Sequence, residues 1–164
     1  MKKYELTKET KVIGGKTLFR IRALRSFGDI KAGDLGGFIE NERNLSHEGN
    51  AWVSGDARVD GDARVDGDAW VDGDAWVDGN AQVSGDGLIN SNNDYLCEKG
   101  LGSHNRSASF FKCKDGHIHV LCGCFDGNLD EFENKVKKEH GNSKYAKEYL
   151  GFIEVVKTHF EVRQ

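Results

Sequence analysis

The chain has 164 residues, 37% of them hydrophobic and 30% charged, with a formal net charge of −4. That length holds one or two small folded units. No apolar run is long enough to span a bilayer and nothing reads as a secretory signal, so the four cysteines point to reduced thiols in a cytoplasmic protein.

Residues 1–32 read as a hairpin cap. Tyr4-Glu5-Leu6 and Val12-Ile13 precede Gly14-Gly15, and an alternating run from Lys16 to Leu24 follows. Gly-Gly suits a two-residue hairpin turn. The hairpin is expected to close the open end of the next segment and to block edge pairing there.

Residues 33–89 are dominated by a period of six. From 51 to 86 the chain reads AWVSGD, ARVDGD, ARVDGD, AWVDGD, AWVDGN, AQVSGD. A fixed period sets the architecture of the region that carries it. Alanine stands two places before each valine, and residues i and i+2 of a strand share a face. Each Ala-x-Val is therefore a short strand with both apolar side chains inward and x outward. The following Gly-Asp/Asn turns a corner, because Gly tolerates positive φ and Asp or Asn can bond the local backbone. Leu45 to Asn50 fits as a degenerate hexad, and Gly36 to Glu40 as an entry strand.

This pattern resembles the left-handed β-helix, or hexapeptide-repeat, superfamily. The segment Gly33-Asp34-Leu35-Gly36-Gly37-Phe38-Ile39, with Asn44-Leu45-Ser46, is similar to small phage and bacterial proteins of that superfamily whose function is unassigned. The resemblance implies a mostly β fold: a short left-handed parallel β-helix between the hairpin cap and a small C-terminal unit. It also implies homotrimers, and, for a phage-encoded member, a location in the host cytoplasm.

The repeat holds nine Asp and two Arg, so its net charge is −7 and the rest of the chain is +3. An acidic repeat cannot track a phosphate backbone, which needs clustered cations, so duplex nucleic acid is not an expected partner. The Asp rows read as solvated corners, not as the calcium ladder of nine-residue repeats. Of the outward positions, Trp52 and Trp70 should be neighbours on one face, and Arg58 should lie beside Trp76 as a cation–π pair. Trp52, Trp70 and Trp76 are the expected oligomer interface, since a large exposed apolar patch marks a partner surface. The competing expectation is that a terminal segment of the same chain covers them.

Residues 90–164 read as an α+β unit of ββαα order. Ala108 to Cys113 and His117 to Cys122 look like strands joined by Lys114-Asp115-Gly116. Asn128 with Glu131 forms a capping-box signature, Gly141 ends the first helix and Ser143 caps a second. His117-x-His119 and Cys122-x-Cys124 have the residue types of a zinc set. Strand parity puts the two pairs on opposite faces, so no metal is expected and the cysteines read as small apolar groups.

The candidate ligand site is the donor-rich loop Gly102 to Ser107. Ser103, Asn105 and Arg106 could hold a phosphate or carboxylate, with Lys112 and His119 as neighbours. No catalytic residue and no cofactor is assigned. The leading expectation is a non-enzymatic homotrimeric module that sequesters a small anionic ligand, with a nucleotide as the specific guess taken from the resemblance. The superfamily also implies coenzyme-A-dependent acyl transfer, for which His47 is the one histidine in the repeat region. A structural scaffold without a small ligand is the third reading.

Overall fold

The computed structural model describes residues 1–162. In it the chain separates into a first unit, Met1–Asn92, and a second, Asn93–Gln164.

In the first unit, β1 (Tyr4–Ile13) and β2 (Lys16–Ala23) form an antiparallel hairpin from Tyr4↔Ala23 to Ile13↔Lys16. Gly14 and Gly15, at φ 57 and 80, supply its turn as the sequence predicts. β2 goes on to pair antiparallel with β3 (Leu35–Ile39). The six hexads then give six strands of two residues each, β4 (Trp52–Val53), β5 (Arg58–Val59), β6 (Arg64–Val65), β7 (Trp70–Val71), β8 (Trp76–Val77) and β9 (Gln82–Val83), and β10 (Leu88–Ile89) follows just after them. They pair in parallel, three hexads apart: Trp52↔Trp70, Arg58↔Trp76, Arg64↔Gln82 and Trp70↔Leu88.

The alanines and valines of the repeat are all inward, each no more than 1% exposed. The corner glycines 55, 61, 67, 73, 79 and 85 sit at φ between 55 and 66, where a Cβ is strained. On entry the register changes. Ile39 lies opposite Val59 and Leu45 opposite Val65, two places beyond the spacing of the later hexads. Leu45 to Asn50 is therefore not a hexad of the regular length.

These pairings overturn the expected fold. A regular left-handed parallel β-helix is not formed, so the likeness to the hexapeptide-repeat superfamily does not hold. The strands belong to separate small sheets: a five-stranded sheet of mixed direction in the order β1-β2-β3-β5-β8, a three-stranded sheet β10-β7-β4, and a two-stranded sheet β6-β9. The reason is local. Each Ala-x-Val run supplies only two ladder residues before its corner. The N-terminal hairpin then joins one ladder edge-on through β3.

Three buried polar side chains of this unit, Asn44, Asp60 and Lys3, have hydrogen-bond partners. The buried Asn44 donates to the carbonyls of Gly61 (3.1 Å) and Ala63 (2.9 Å) and accepts from Asn41 N–H at 2.9 Å. Asp60, 2% exposed, accepts from Lys16 Nζ at 2.6 Å and from the Trp76 indole N–H at 2.5 Å. Lys3 is fully buried, donates to the Ala51 carbonyl at 2.7 Å and lies over the Phe27 ring.

The second unit is a four-stranded antiparallel sheet with two helices. Its strands, β11 (Tyr95–Leu101), β12 (Arg106–Lys112), β13 (Ile118–Cys122) and β14 (Phe125–Asn128), are adjacent in chain order. The expected ββαα order is thus corrected by β11 and β14, which carry no alternating apolar pattern. α1 (Leu129–His140) starts where predicted: Asn128 Oδ1 accepts from Glu131 N–H and the Glu131 carboxylate accepts from Asn128 N–H, both at 2.9 Å. Gly141 at φ 54 ends it, and the Ser143 hydroxyl caps α2 (Lys144–His159). Ala108, Phe110, Val120 and Cys122 on one sheet face form a core with Phe132, Val136, Tyr149, Ile153 and Val156 of the helices.

Candidate functional site

The five residues expected to make one ligand site do not converge. Arg106 begins β12 and Lys112 ends it, about 20 Å apart at the rise of a strand. Lys112 is paired with Asp94 at 3.0 Å. His119 sits opposite Phe111 in register, and its Nε2 lies 2.6 Å from Asp126. Ser103 and Asn105 are exposed in the turn between β11 and β12. That turn is also less rich in spare donors than the sequence suggests. Gly102 N–H donates to the Glu148 carboxylate at 2.9 Å, Asn105 N–H donates to the Gly102 carbonyl at 3.3 Å, and Ser103 Oγ lies 3.0 Å from His104 Nδ1. Arg106 lines a pocket.

That pocket, of about 190 Å³, lies beneath the Arg106 end of the sheet, with Cys122, Cys124, Lys135, His140 and Tyr149 in its walls. Arg106 reaches it by lying across Gly123, whose φ of 62 and missing Cβ leave the space that the guanidinium takes. The lysine charge is matched, since Lys135 pairs with Glu139 at 2.6 Å. The guanidinium makes no ion pair with the described residues. Tyr149 packs over Gly102, donates to the Leu101 carbonyl at 3.4 Å and stacks with His140 at 5.7 Å. Burial, and then the neighbouring Cys122, push its hydroxyl up to about 12, so the phenol stays neutral. Burial likewise raises Cys122 above the ordinary thiol range. A guanidinium fork without an ion pair, beside a neutral phenol and an imidazole and with the Lys135–Glu139 pair also in the wall, can hold a carboxylate or phosphate group.

Sequence reasoning missed Tyr149, His140, Lys135 and the two cysteines as pocket residues. Their approach to Arg106 depends on the pairing Ala108↔Cys122 and on two helices folding back over that end of the sheet.

The tryptophan patch is also corrected. Trp52 is 1% exposed, covered edge-on by Phe27 at 5.4 Å and Tyr4 at 6.4 Å. The N-terminal segment of the same chain thus removes it from any surface. Trp76 is half-buried, held by Asp60 and lying against Arg58 at 4.8 Å. Trp70 is half-buried beside Trp52 in the ladder. His47 stacks on Tyr4 at 4.3 Å and its Nδ1 accepts the Lys3 N–H at 3.2 Å, which is the packing of a structural histidine.

The cysteines weighed for metal do not join His117 and His119. Cys122 faces the helices and Cys124 lines the Arg106 pocket. A different thiol does join them: Cys113 Sγ and one nitrogen of each ring lie within 4.8 Å of one another. Two hydrogen bonds from His117, through its backbone N–H and its ring, hold the Asp115 carboxyl below its ordinary range.

No family model matches the chain, and no curated protein is significantly similar to it. No helix among the described residues is long and apolar enough to cross a membrane. The functional reading therefore rests on the side chains.

Proposed function

We propose that this chain is a non-enzymatic binding module, assembled as a homotrimer, that holds the anionic group of a small nucleotide-type ligand at Arg106. One observation carries the reading: a guanidinium with no ion pair among the described residues stands in a concave pocket beside Tyr149 and His140. A charge in that position gains most from an anion that can accept two parallel hydrogen bonds. The pocket, about 190 Å³, is small beside the roughly 300–1,000 Å³ of sites that enclose a drug-sized ligand. It suits a phosphate or carboxylate group, with the remainder of the ligand outside.

Binding is favoured over covalent chemistry because burial keeps Cys122 a thiol at neutral pH, and the thiol is a weak nucleophile. Self-association is supported by the partial exposure of Trp70 beside the buried Trp52. The test is thermal stability of the full chain with inorganic phosphate, a panel of nucleotides and acetyl-coenzyme A. A ligand of the folded state raises stability by mass action. Stabilisation by phosphate and nucleotides supports the reading. A shift with acetyl-coenzyme A alone favours acyl transfer, and no shift with any of them favours a scaffold.

A further inference from the structure

The turn between β12 and β13 brings three ligating side chains to one face of the sheet. Cys113 N–H donates to the His117 carbonyl at 3.0 Å, and Gly116 N–H closes the turn on the Cys113 carbonyl at 2.9 Å. Cys113 therefore lies across from His117, and Phe111 across from His119. Side chains two apart share a face. Cys113, His117 and His119 thus stand together, on the face opposite the helices.

The two rings are oriented by carboxylates. Asp115 Oδ1 lies 2.5 Å from His117 Nδ1, and Asp126 Oδ1 lies 2.6 Å from His119 Nε2. An ionised carboxylate only accepts, so each of those ring nitrogens carries the proton. The remaining nitrogens, His117 Nε2 and His119 Nδ1, then both present lone pairs. They face each other at 3.3 Å. Two acceptors aimed at one point call for a cation between them. A tetrahedral metal with nitrogen ligands at 2.0–2.1 Å sets them about 3.3–3.4 Å apart, which matches the observed separation. The buried Cys113 thiol supplies a third ligand from the third direction.

We propose that Cys113, His117 and His119 bind a Zn²⁺ ion, with Asp115 and Asp126 as the groups that fix the two imidazoles. Two imidazoles and a thiolate select a borderline-soft ion over Ca²⁺ or Mg²⁺. A carboxylate on the far nitrogen of a ligating histidine is the usual support of such a site. Three protein ligands leave a fourth position for water or a small donor. This site stands apart from the Arg106 pocket, on the other face and at the other end of the sheet, and it holds or fails independently of the anion reading.

The experiment uses the full chain, stripped with a chelator and titrated with Co²⁺ and then Zn²⁺. One equivalent should bind per chain. Co²⁺ should give visible bands of tetrahedral type and a near-ultraviolet sulfur-to-metal band that Zn²⁺ abolishes. Cys113→Ser should lose the sulfur band, and His119→Ala should weaken binding at least as strongly as a change to a supporting carboxylate. Asp126 is exposed, so Asp126→Asn tests the site without touching a buried residue; it should lower affinity by roughly 10–100-fold. His104→Ala, in the other turn, should change nothing. A sulfur band retained in Cys113→Ser, or affinity unchanged in both His119→Ala and Asp126→Asn, overturns the proposal. So does the lack of stoichiometric uptake by wild type, which is the outcome if the two imidazoles merely share a proton.

Discussion

Arg106 lies across the α-carbon of Gly123, and its guanidinium occupies the volume that a Cβ at 123 would need. The relationship joins the first residue of β12 to the turn after β13, and it aims the guanidinium at the pocket. Gly123→Ala should therefore do two things. Alanine at φ 62 should cost about 1 kcal/mol of stability, and displacement of Arg106 should weaken phosphate binding severalfold. Denaturant melts and calorimetry read the two effects separately. Unchanged phosphate affinity in a folded Gly123→Ala protein would show that the position of the guanidinium does not matter.

Trp52 is the largest fully buried side chain of the first unit. Trp52→Ala should cost about 3–5 kcal/mol, because Phe27 and Tyr4 cannot both collapse into the space left. Trp70→Ala, at a half-buried position in the same ladder, should cost much less. Urea unfolding of the two variants checks the order, and equal losses would refute the covering role of the N-terminal segment.

Lys3 makes the first unit sensitive to alkaline pH. Burial, with Arg25 nearby, lowers its pKa from 10.5 to about 8. Below pH 8 both states carry the proton and the buried charge destabilises the fold in full. Between about 8 and 10.5 the unfolded chain binds more protons, so stability rises with pH there, by about 1.5 kcal/mol from pH 8 to 9.5. Tyr4 acts in the opposite sense but only above pH 10, since burial raises its pKa from that value. The difference between wild type and Lys3→Met isolates the effect. Parallel stability–pH curves for the two proteins would contradict it.

Much of the local structure was legible. Gly14-Gly15 announces its turn, the Ala-x-Val phase announces which side chains are buried, and Asn128 and Gly141 announce the limits of a helix. Those signals lie within a few residues of their effects. What escaped depends on partners distant along the chain. Trp52 and Trp70 hold the same place in the repeat, yet Tyr4 and Phe27 cover only the first. Arg106 and Lys112 share a strand and a parity, but a strand's length separates them. The pairing of β3 with β5, which ties the hairpin to one of the hexad ladders, is not encoded in the repeat. The Cys113 cluster is a different case. The turn Lys114-Asp115-Gly116 was readable, and hairpin parity about it already sets Cys113 beside the two histidines.

The proposed homotrimer draws on the half-buried Trp70. Light scattering should give three times the 18.2 kDa chain mass for wild type. Trp70→Glu should weaken that assembly, because it would bury an unpaired charge at the contact. A wild-type monomer at micromolar concentration would remove the trimer from the account.

The central claim is that Arg106 holds an anion. Calorimetry of wild type and Arg106→Ala with inorganic phosphate and a nucleotide panel tests it most directly. The account predicts that wild type binds and that Arg106→Ala loses about 2 kcal/mol, roughly thirtyfold in affinity, from a charge-assisted contact while its fold and mass are kept. Equal affinities in the two proteins, or no binding of any of these anions by wild type, would contradict it.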